Sequence, residues 1–329
     1  MILHAGLTMR RQYPFHTSMT IDSPTRGRLP HLGVLRFTGP DSSSFLQGQV
    51  SNDMRRLAQG QSLLAAYSSS QGRVLALMHL LPRPDGIVAI LPRELVLPTL
   101  EALRRFVLRA KVKIDDASEE LRVEGFYGAH PPRTADAGIG IAAVNRGPGR
   151  CWVVGTAEQL SQLADAGPAP DAAGTVDAGR FELGWRLADI RAGLPQIYLP
   201  TRETFVAQML NLDLLDGISF TKGCYTGQEI IARTQHLGRI KRRLCRLQLP
   251  PALWCIGQPL RLSDGRTGRL TEVIRSGESF EALAVLNVEV PASTGAAAGS
   301  APDTETQGGA PVGAVELSLP YGLVAPTGR

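Results

Sequence analysis

Long hydrophobic runs are absent from this sequence of 329 residues. The apolar stretch Val74–Leu81 is interrupted by His79 and stopped by Pro82, and it is shorter than the ~18 residues that a membrane-spanning helix needs. The first residues are rich in arginine but lack the continuous apolar segment of a secretory signal. We therefore expect a cytoplasmic protein without a membrane segment.

Cysteine is also scarce, with four residues in the chain, and no two of them form a CxxC pair. The spacing disfavours a zinc ribbon or a thioredoxin-like site, and a chain of this length does not depend on disulfides for a stable core. The sequence offers no set of metal ligands either. The four cysteines, which we expect to be reduced, are Cys151, Cys224, Cys245 and Cys255.

Lysine accounts for only four of the 35 basic residues. The net charge of +5 permits an anionic partner but does not choose among nucleic acid, phosphate and a carboxylate-bearing ligand. An arginine bias together with abundant alanine, glycine and proline is typical of a GC-rich genome. Surface arginines are therefore weak indicators of function here.

The chain is longer than one ordinary core and indicates several domains. Periodicity predicts an α+β unit, in which strands are followed by a helix over Leu95–Leu108. The predicted strands are Gly33–Thr38, Ser62–Tyr67, Val74–Leu80 and Ile87–Leu91. From Arg243 onward, short alternating runs predict a small antiparallel β-barrel, interrupted by a flexible insertion at 291–311. Residues 1–28 are predicted to be a disordered tail.

The segment Lys222-Gly223-Cys224-Tyr225-Thr226-Gly227-Gln228-Glu229, called the octet below, carries the most chemical information. Thr226 and Glu229 fit a capping box at the start of a helix. Cys224 would precede that helix, whose N-terminal dipole favours a thiolate, as does the charge of Lys222. A thiolate is a nucleophile or a metal ligand. The alternative is a buried structural cysteine beside an ordinary capped helix, because free cysteine is among the most buried residue types.

The octet resembles the signature of the YgfZ family, folate-binding relatives of the glycine cleavage T-protein. Four further segments extend the resemblance over roughly 33–247. They are Phe45-Leu46-Gln47-Gly48-Gln49-Val50, Asn52-Asp53, Ala192-Gly193-Leu194-Pro195 and Gly217-Ile218-Ser219-Phe220. The chain departs from the family at Phe205-Val206-Ala207-Gln208. Members often have a proline at the third position of this segment, where this chain has Ala207.

The resemblance implies a T-protein-like α+β fold of several domains around a central channel that holds tetrahydrofolate or a derivative. It divides the chain into a folate-binding region at 29–240, built from two interleaved α+β subdomains, and the barrel at 241–329. It also implies a role in the assembly or repair of iron–sulfur clusters, including those of enzymes that thiolate transfer RNA. The expected partners are folate and iron–sulfur proteins or their assembly factors.

The resemblance assigns roles to individual residues as well. Cys224 is the active thiol, and Trp185 matches a tryptophan associated with folate contact, since an indole can stack on a flat pterin. The supporting residues of the octet are Lys222, Gly223, Tyr225, Gly227, Gln228 and Glu229. A further possibility is that Cys224 is one ligand of a transient iron–sulfur cluster that is shared with a partner chain.

Two other functions remain as alternatives. A folate-dependent aminomethyl or one-carbon transferase would need a carboxylate near the reacting nitrogen, but the stretch that corresponds to the catalytic aspartate of T-proteins, Gln71–Leu77, contains no acid. An RNA-binding module could use the basic run Arg239–Arg243. That run has no interleaved aromatic residue, so we expect no direct binding to nucleic acid. The same cations could instead attract the glutamyl tail of folate.

Overall fold

Three antiparallel sheets form most of the regular structure in a computed structural model that describes residues 25–59, 62–128, 141–163, 178–236, 240–288 and 310–323. Five α-helices lie within the same residues. The mixture confirms the α+β prediction. No helix in the described part of the chain is long and apolar enough to cross a membrane.

The first sheet has the strand order β3-β4-β5-β2-β6. Its strands are β2 Leu32–Thr38, β3 Leu63–Ser68, β4 Val74–Arg83, β5 Gly86–Pro92 and β6 Lys113–Asp116. β4 is buried from Val74 to Leu81, because this central strand is covered on both faces. The four strands predicted from the sequence are confirmed within a few residues. Helix α1, Ser42–Gln47, precedes a 3₁₀ turn at Met54–Gln59.

Helix α2, Arg93–Arg104, follows β5 directly. Leu95, Leu100 and Leu103 are buried on the face that packs on the first sheet. The predicted helix Leu95–Leu108 is therefore correct in type but too long. Phe106 and Leu108 lie beyond the helix and are exposed, because the chain turns there toward β6.

The second sheet has the order β1-β7-β9-β8 and is interleaved with the first along the chain. Its strands are β1 Thr25–Arg28, β7 Arg122–Tyr127, β8 Ala142–Asn145 and β9 Arg150–Gly155. The predicted tail 1–28 is therefore wrong at its end: Thr25–Arg28 pair with β7, and Arg26 forms a buried ion pair with Glu124 at 2.7 Å. These partners lie too far away in the chain for local patterns to reveal them.

Two helices accompany the second sheet. Helix α3, Ala157–Ser161, has a capping box at Thr156 and Gln159. Helix α4, Ala178–Arg191, packs on β1 with one part and reaches the third sheet with another. Arg186 pairs with Glu272 at 2.7 Å, and Arg191 pairs with Glu281 at 2.6 Å. Helix α4 thus holds the second and third sheets together.

The third sheet has the order β11-β12-β13-β10-β14. Its strands are β10 Arg242–Leu249, β11 Pro259–Arg261, β12 Thr267–Ser276, β13 Ser279–Asn287 and β14 Val315–Leu317. The predicted barrel is not confirmed, because no strand pairing in the described residues closes the sheet. The edge strands have three residues each, and between them lies a single bridge, Leu262 to Val312. Apart from residues 310 and 311, the predicted insertion 291–311 lies outside the described residues.

Candidate functional site

Lys222 fastens the octet to the loop that follows α1. Its ammonium donates hydrogen bonds to the carbonyl oxygens of Gln47, Val50 and Asn52 at 2.7, 2.7 and 2.8 Å. The residue is 5% exposed, and burial lowers the pKa of Lys222 to about 8. All three donors of the ammonium are therefore used by the backbone. The ammonium therefore has no hydrogen left to donate to the Cys224 thiolate, and an effect of its charge on that thiolate stays a prediction.

Cys224 is exposed between two buried neighbours, Lys222 and Tyr225. The Tyr225 ring lies 4.9 Å from the Lys222 ammonium, which is a favourable cation–π distance. Gly223 has open space where a Cβ atom would lie. The buried pair holds the loop in place, and the thiol is presented to solvent. The alternative of a buried structural cysteine at this position is therefore wrong.

Helix α5, Gln228–His236, begins one residue later than predicted. The Gln228 side-chain oxygen accepts from the Tyr225 backbone N–H at 3.2 Å. Gly227 has φ +80°, and a Cβ atom there would lie 2.5 Å from the Ser69 carbonyl oxygen. Close packing against the turn Ser69–Gly72 thus requires glycine just before the helix. The expected capping box between Thr226 and Glu229 is wrong, since Glu229 becomes the second residue of the helix.

Removing the ammonium of Lys222 should destabilise the fold. Lys222→Met would leave three buried carbonyl oxygens without their charged donor, and we expect a loss of about 2–4 kcal/mol in the free energy of unfolding. Urea denaturation followed by circular dichroism measures it. Lys241→Met is the matched control, because Lys241 is exposed. Equal stability of the two variants would show that the carbonyl contacts of Lys222 contribute nothing.

The four thiols differ in accessibility. Cys151 and Cys245 are buried, and burial raises the pKa of each to about 12. Cys224 and Cys255 are exposed. In the native protein at pH 7 we expect iodoacetamide to modify only the exposed pair, and Cys224 faster than Cys255 because α5 begins shortly after it. Peptide mass spectrometry over time gives both rates. Equal rates at Cys224 and Cys255 would show that exposure alone governs reactivity.

A cavity of about 430 Å³ lies between the first and second sheets and the loop after α4. The first sheet contributes Leu63, Leu64 and His79, and the β8–β9 hairpin contributes residues 144–148. The segment Ala192–Pro195, one of those that resemble the YgfZ family, forms another part of the wall. The volume falls in the range of small-molecule sites.

The C-terminal segment supports that part of the wall. Gly193 has φ +67°, and its carbonyl oxygen accepts from the Tyr321 hydroxyl at 2.7 Å. A Cβ atom on Gly193 would lie within 3 Å of Leu319 and Tyr321. The glycine of Ala192–Pro195 is therefore required by the packing of residues 319–321, and Pro320 itself lines the cavity.

The polar wall of the cavity was missed by sequence reasoning. Arg146 Nη1 lies 2.9 Å from His79 Nε2, and Arg146 Nη2 lies 3.0 Å from the Asp189 carboxylate. Arg150 contacts the other oxygen of Asp189 at 2.9 Å. His79, the polar residue that interrupts the apolar run of β4, is buried. The turn Arg146-Gly147-Pro148-Gly149-Arg150 between two apolar runs is a hairpin signal that could have located this wall.

Trp185 does not line the cavity. It is 0% exposed and packs against Gly125, with the rings of Tyr127 and Phe181 at 4.8 and 6.1 Å. Its faces are thus covered by protein, so the predicted stacking on a pterin is incompatible with this arrangement. Its guanidinium neighbour Arg150, 5.2 Å from the indole, is joined to the cavity-lining Arg146 through Asp189.

Asn52 connects the octet with the cavity. Its carbonyl oxygen accepts from Lys222, while its side-chain amide donates to the carbonyl oxygens of Leu64 and Asp216 at 2.9 and 2.7 Å. Leu64 and Asp216 both line the cavity. Neighbouring Ser51 donates to the Gly217 carbonyl oxygen at 2.6 Å. Three segments that are distant in the sequence therefore meet in one hydrogen-bonded assembly.

The basic run Arg239–Arg243 is only partly a surface feature. Arg243 is buried and forms an ion pair with Asp213 at 2.6 Å, and Arg242 bonds to Asn287. Lys241 is exposed, and Arg239 lies outside the described residues. Since Arg243 is committed to Asp213, this run does not present the continuous basic face that an RNA backbone needs.

The fold and the site define an α+β protein in which an exposed cysteine lies on a loop that two buried side chains anchor and that is hydrogen-bonded to the wall of a cavity. No protein-family model matches the chain. It is 31% identical over 284 residues to the tRNA-modifying protein YgfZ of Edwardsiella ictaluri, covering 79% of this chain and 83% of the relative. The chain therefore belongs to the YgfZ family, as the octet predicted.

A second relative matches a similar share of the chain. The tRNA-modifying protein YgfZ of Shigella sonnei is 33% identical over 263 residues, which cover 74% of this chain and 78% of the relative. The glycine cleavage system aminomethyltransferase T from Bartonella henselae aligns over 81% of this chain and 79% of its own, with a TM-score of 0.47 and 14% identity.

Proposed function

We propose that this chain binds tetrahydrofolate or a derivative in the cavity and uses Cys224 to support the assembly or repair of iron–sulfur clusters, including those of enzymes that thiolate transfer RNA. The observation that carries the proposal is the exposure of Cys224 between Lys222 and Tyr225, which are buried. A thiol held on a fixed loop is suited to repeated reaction with a partner, whereas a structural cysteine is buried.

The cavity fits a folate in size and in the chemistry of its walls. Leu63 and Leu194 offer apolar surface, whereas Asn145 and Arg146 offer polar groups at the opposite wall. Small-molecule sites combine these two features. When bound, tetrahydrofolate supplies a carrier for one-carbon units. The residues of this chain would bind it, orient it and exclude water from it.

The hydrogen bonds of Asn52 support a connection between ligand and thiol. The path runs from the cavity wall at Leu64 through Asn52 to Lys222, and Cys224 follows two residues later in the chain. A ligand that changes the position of Leu64 or Asp216 would thereby affect the loop that presents the thiol. Folate binding and thiol chemistry thus belong to one assembly.

A cluster would be handled as cargo at this site. Among the described residues no group of three or more histidine, cysteine or acidic side chains is placed to hold a metal ion. Cys224 would thus supply one thiolate, and the other thiolate ligands that iron–sulfur clusters require would come from an iron–sulfur protein or an assembly factor. Such a protein is the partner that we propose.

Two measurements on the wild-type protein test the proposal. Calorimetry should detect tetrahydrofolate binding, and expression of the chain in a bacterial strain that lacks its own YgfZ protein should restore cluster-enzyme activity and thiolated transfer RNA. A chain that binds no folate, or that restores neither property at normal expression, contradicts the proposal.

A further inference from the structure

Arg146, in the wall of the cavity, belongs to a buried cluster whose positive charge the described residues do not neutralise. The side chains of Arg146 and Arg150 are 5% and 9% exposed, and both pair with Asp189. Two guanidinium groups therefore share one carboxylate. In the described residues no other carboxylate lies within ion-pair distance of either arginine, so the cluster has a net charge of +1.

His79 does not change this balance. Since a guanidinium can only donate, His79 Nε2 accepts from Arg146 and the ring proton lies on Nδ1. Burial, followed by the charge of Arg146, lowers the pKa of His79 well below its usual value, which leaves the ring neutral. The remaining charged residue of the cavity wall, Asp216, is largely exposed and pairs with Arg56.

The orientation of Arg146 is fixed on three sides. His79 and Asp189 hold its Nη atoms, and the Trp152 ring covers one face at 4.1 Å. A planar guanidinium in a set orientation suits a carboxylate, to which it can donate two parallel hydrogen bonds. An excess charge on buried side chains is unfavourable unless a counter-charge arrives.

We infer that Arg146 recognises a carboxylate of the bound ligand, and that this carboxylate completes the charge balance of the wall. The inference rests on the proposed folate-binding function, because the glutamyl part of a folate carries such carboxylates. Arg146 thereby takes the role of attracting the glutamyl tail, which the sequence alone offered to the basic run Arg239–Arg243.

Changing the ligand tests the inference on the wild-type protein. Calorimetry would compare tetrahydrofolate with an analogue in which both glutamyl carboxylates are amides. We expect the diamide to bind roughly 10- to 100-fold more weakly, since hydrogen bonds to charged groups have that effect. Equal affinity of acid and diamide overturns the inference while leaving the folate proposal intact. Absence of binding by both ligands contradicts the proposed function and the inference built on it.

Changing the protein supplies the second half of the test. Arg146→Gln should weaken tetrahydrofolate binding by the same factor but leave the affinity for the diamide unchanged. Arg36→Gln, which removes an arginine that pairs with Asp115 and Glu120 and does not line the cavity, is the matched control and should bind both ligands as the wild type does. An equal loss for acid and diamide in Arg146→Gln would show that the arginine only shapes the cavity, and would overturn the inference. If Arg146→Gln fails to fold, as judged by circular dichroism, the comparison of the two ligands on the wild type decides.

Discussion

Cys224→Ser should abolish support of iron–sulfur enzymes in cells while leaving the fold unchanged. Because Cys224 is exposed and the buried contacts of the loop belong to Lys222 and Tyr225, the free energy of unfolding should stay within about 0.5 kcal/mol of the wild type. A serine hydroxyl cannot form the thiolate that nucleophilic attack or cluster ligation needs. Cluster-enzyme activity and thiolated transfer RNA in a deletion strain measure the loss, and both should fall to the level of the empty strain.

Cys255→Ser provides the control for this experiment. Cys255 is the other exposed thiol and lies outside the octet, so its replacement should restore the deletion strain fully. The serine variant at Cys224 should also bind tetrahydrofolate with unchanged affinity, which separates loss of the thiol from loss of the ligand. Full restoration by Cys224→Ser would remove Cys224 as the working group, and the function would then rest on the cavity alone.

Trp185→Ala should lower the free energy of unfolding by about 3–5 kcal/mol, the usual cost of truncating a large buried aromatic residue. The indole fills the space between β7 and α4, where Gly125, Tyr127 and Phe181 surround it. Chemical denaturation measures the loss. Tetrahydrofolate affinity, corrected for the fraction folded, should stay within about twofold if Trp185 makes no ligand contact.

Trp185→Phe refines this prediction. The indole N–H has no hydrogen-bond partner among the described residues, so phenylalanine removes volume but no hydrogen bond. Its cost should be clearly smaller than that of alanine. The opposite pattern, in which Trp185→Phe keeps full stability but loses tenfold or more in folate affinity, would return Trp185 to the ligand site.

The first sheet and membership of the YgfZ family could be predicted from the sequence. Short apolar runs between turn residues predict strands such as Val74–Leu80 and Ile87–Leu91. These patterns depend only on residues that are close together in the chain. The family was recognised from the eight residues of the octet and four further segments, whereas the role of Cys224 stays a prediction. The barrel is not confirmed, since no strand pairing in the described residues closes the third sheet; closure depends on edge strands of three residues each, which carry too little pattern to predict it.

The partners of the buried polar and aromatic groups were decided only by the tertiary structure. Lys222 follows its carbonyl acceptors by 170–175 positions, and Arg146 and Asp189 are 43 positions apart. Local sequence placed Lys222 next to Cys224, and a resemblance placed Trp185 against a ligand. Packing turned the lysine toward a backbone loop and covered the indole with glycine and aromatic rings. The sequence by itself determines which residues are able to donate, stack or react, because these are properties of single side chains. Which of them meet depends on how three sheets pack, since a buried charge or ring must find its partner across the whole fold.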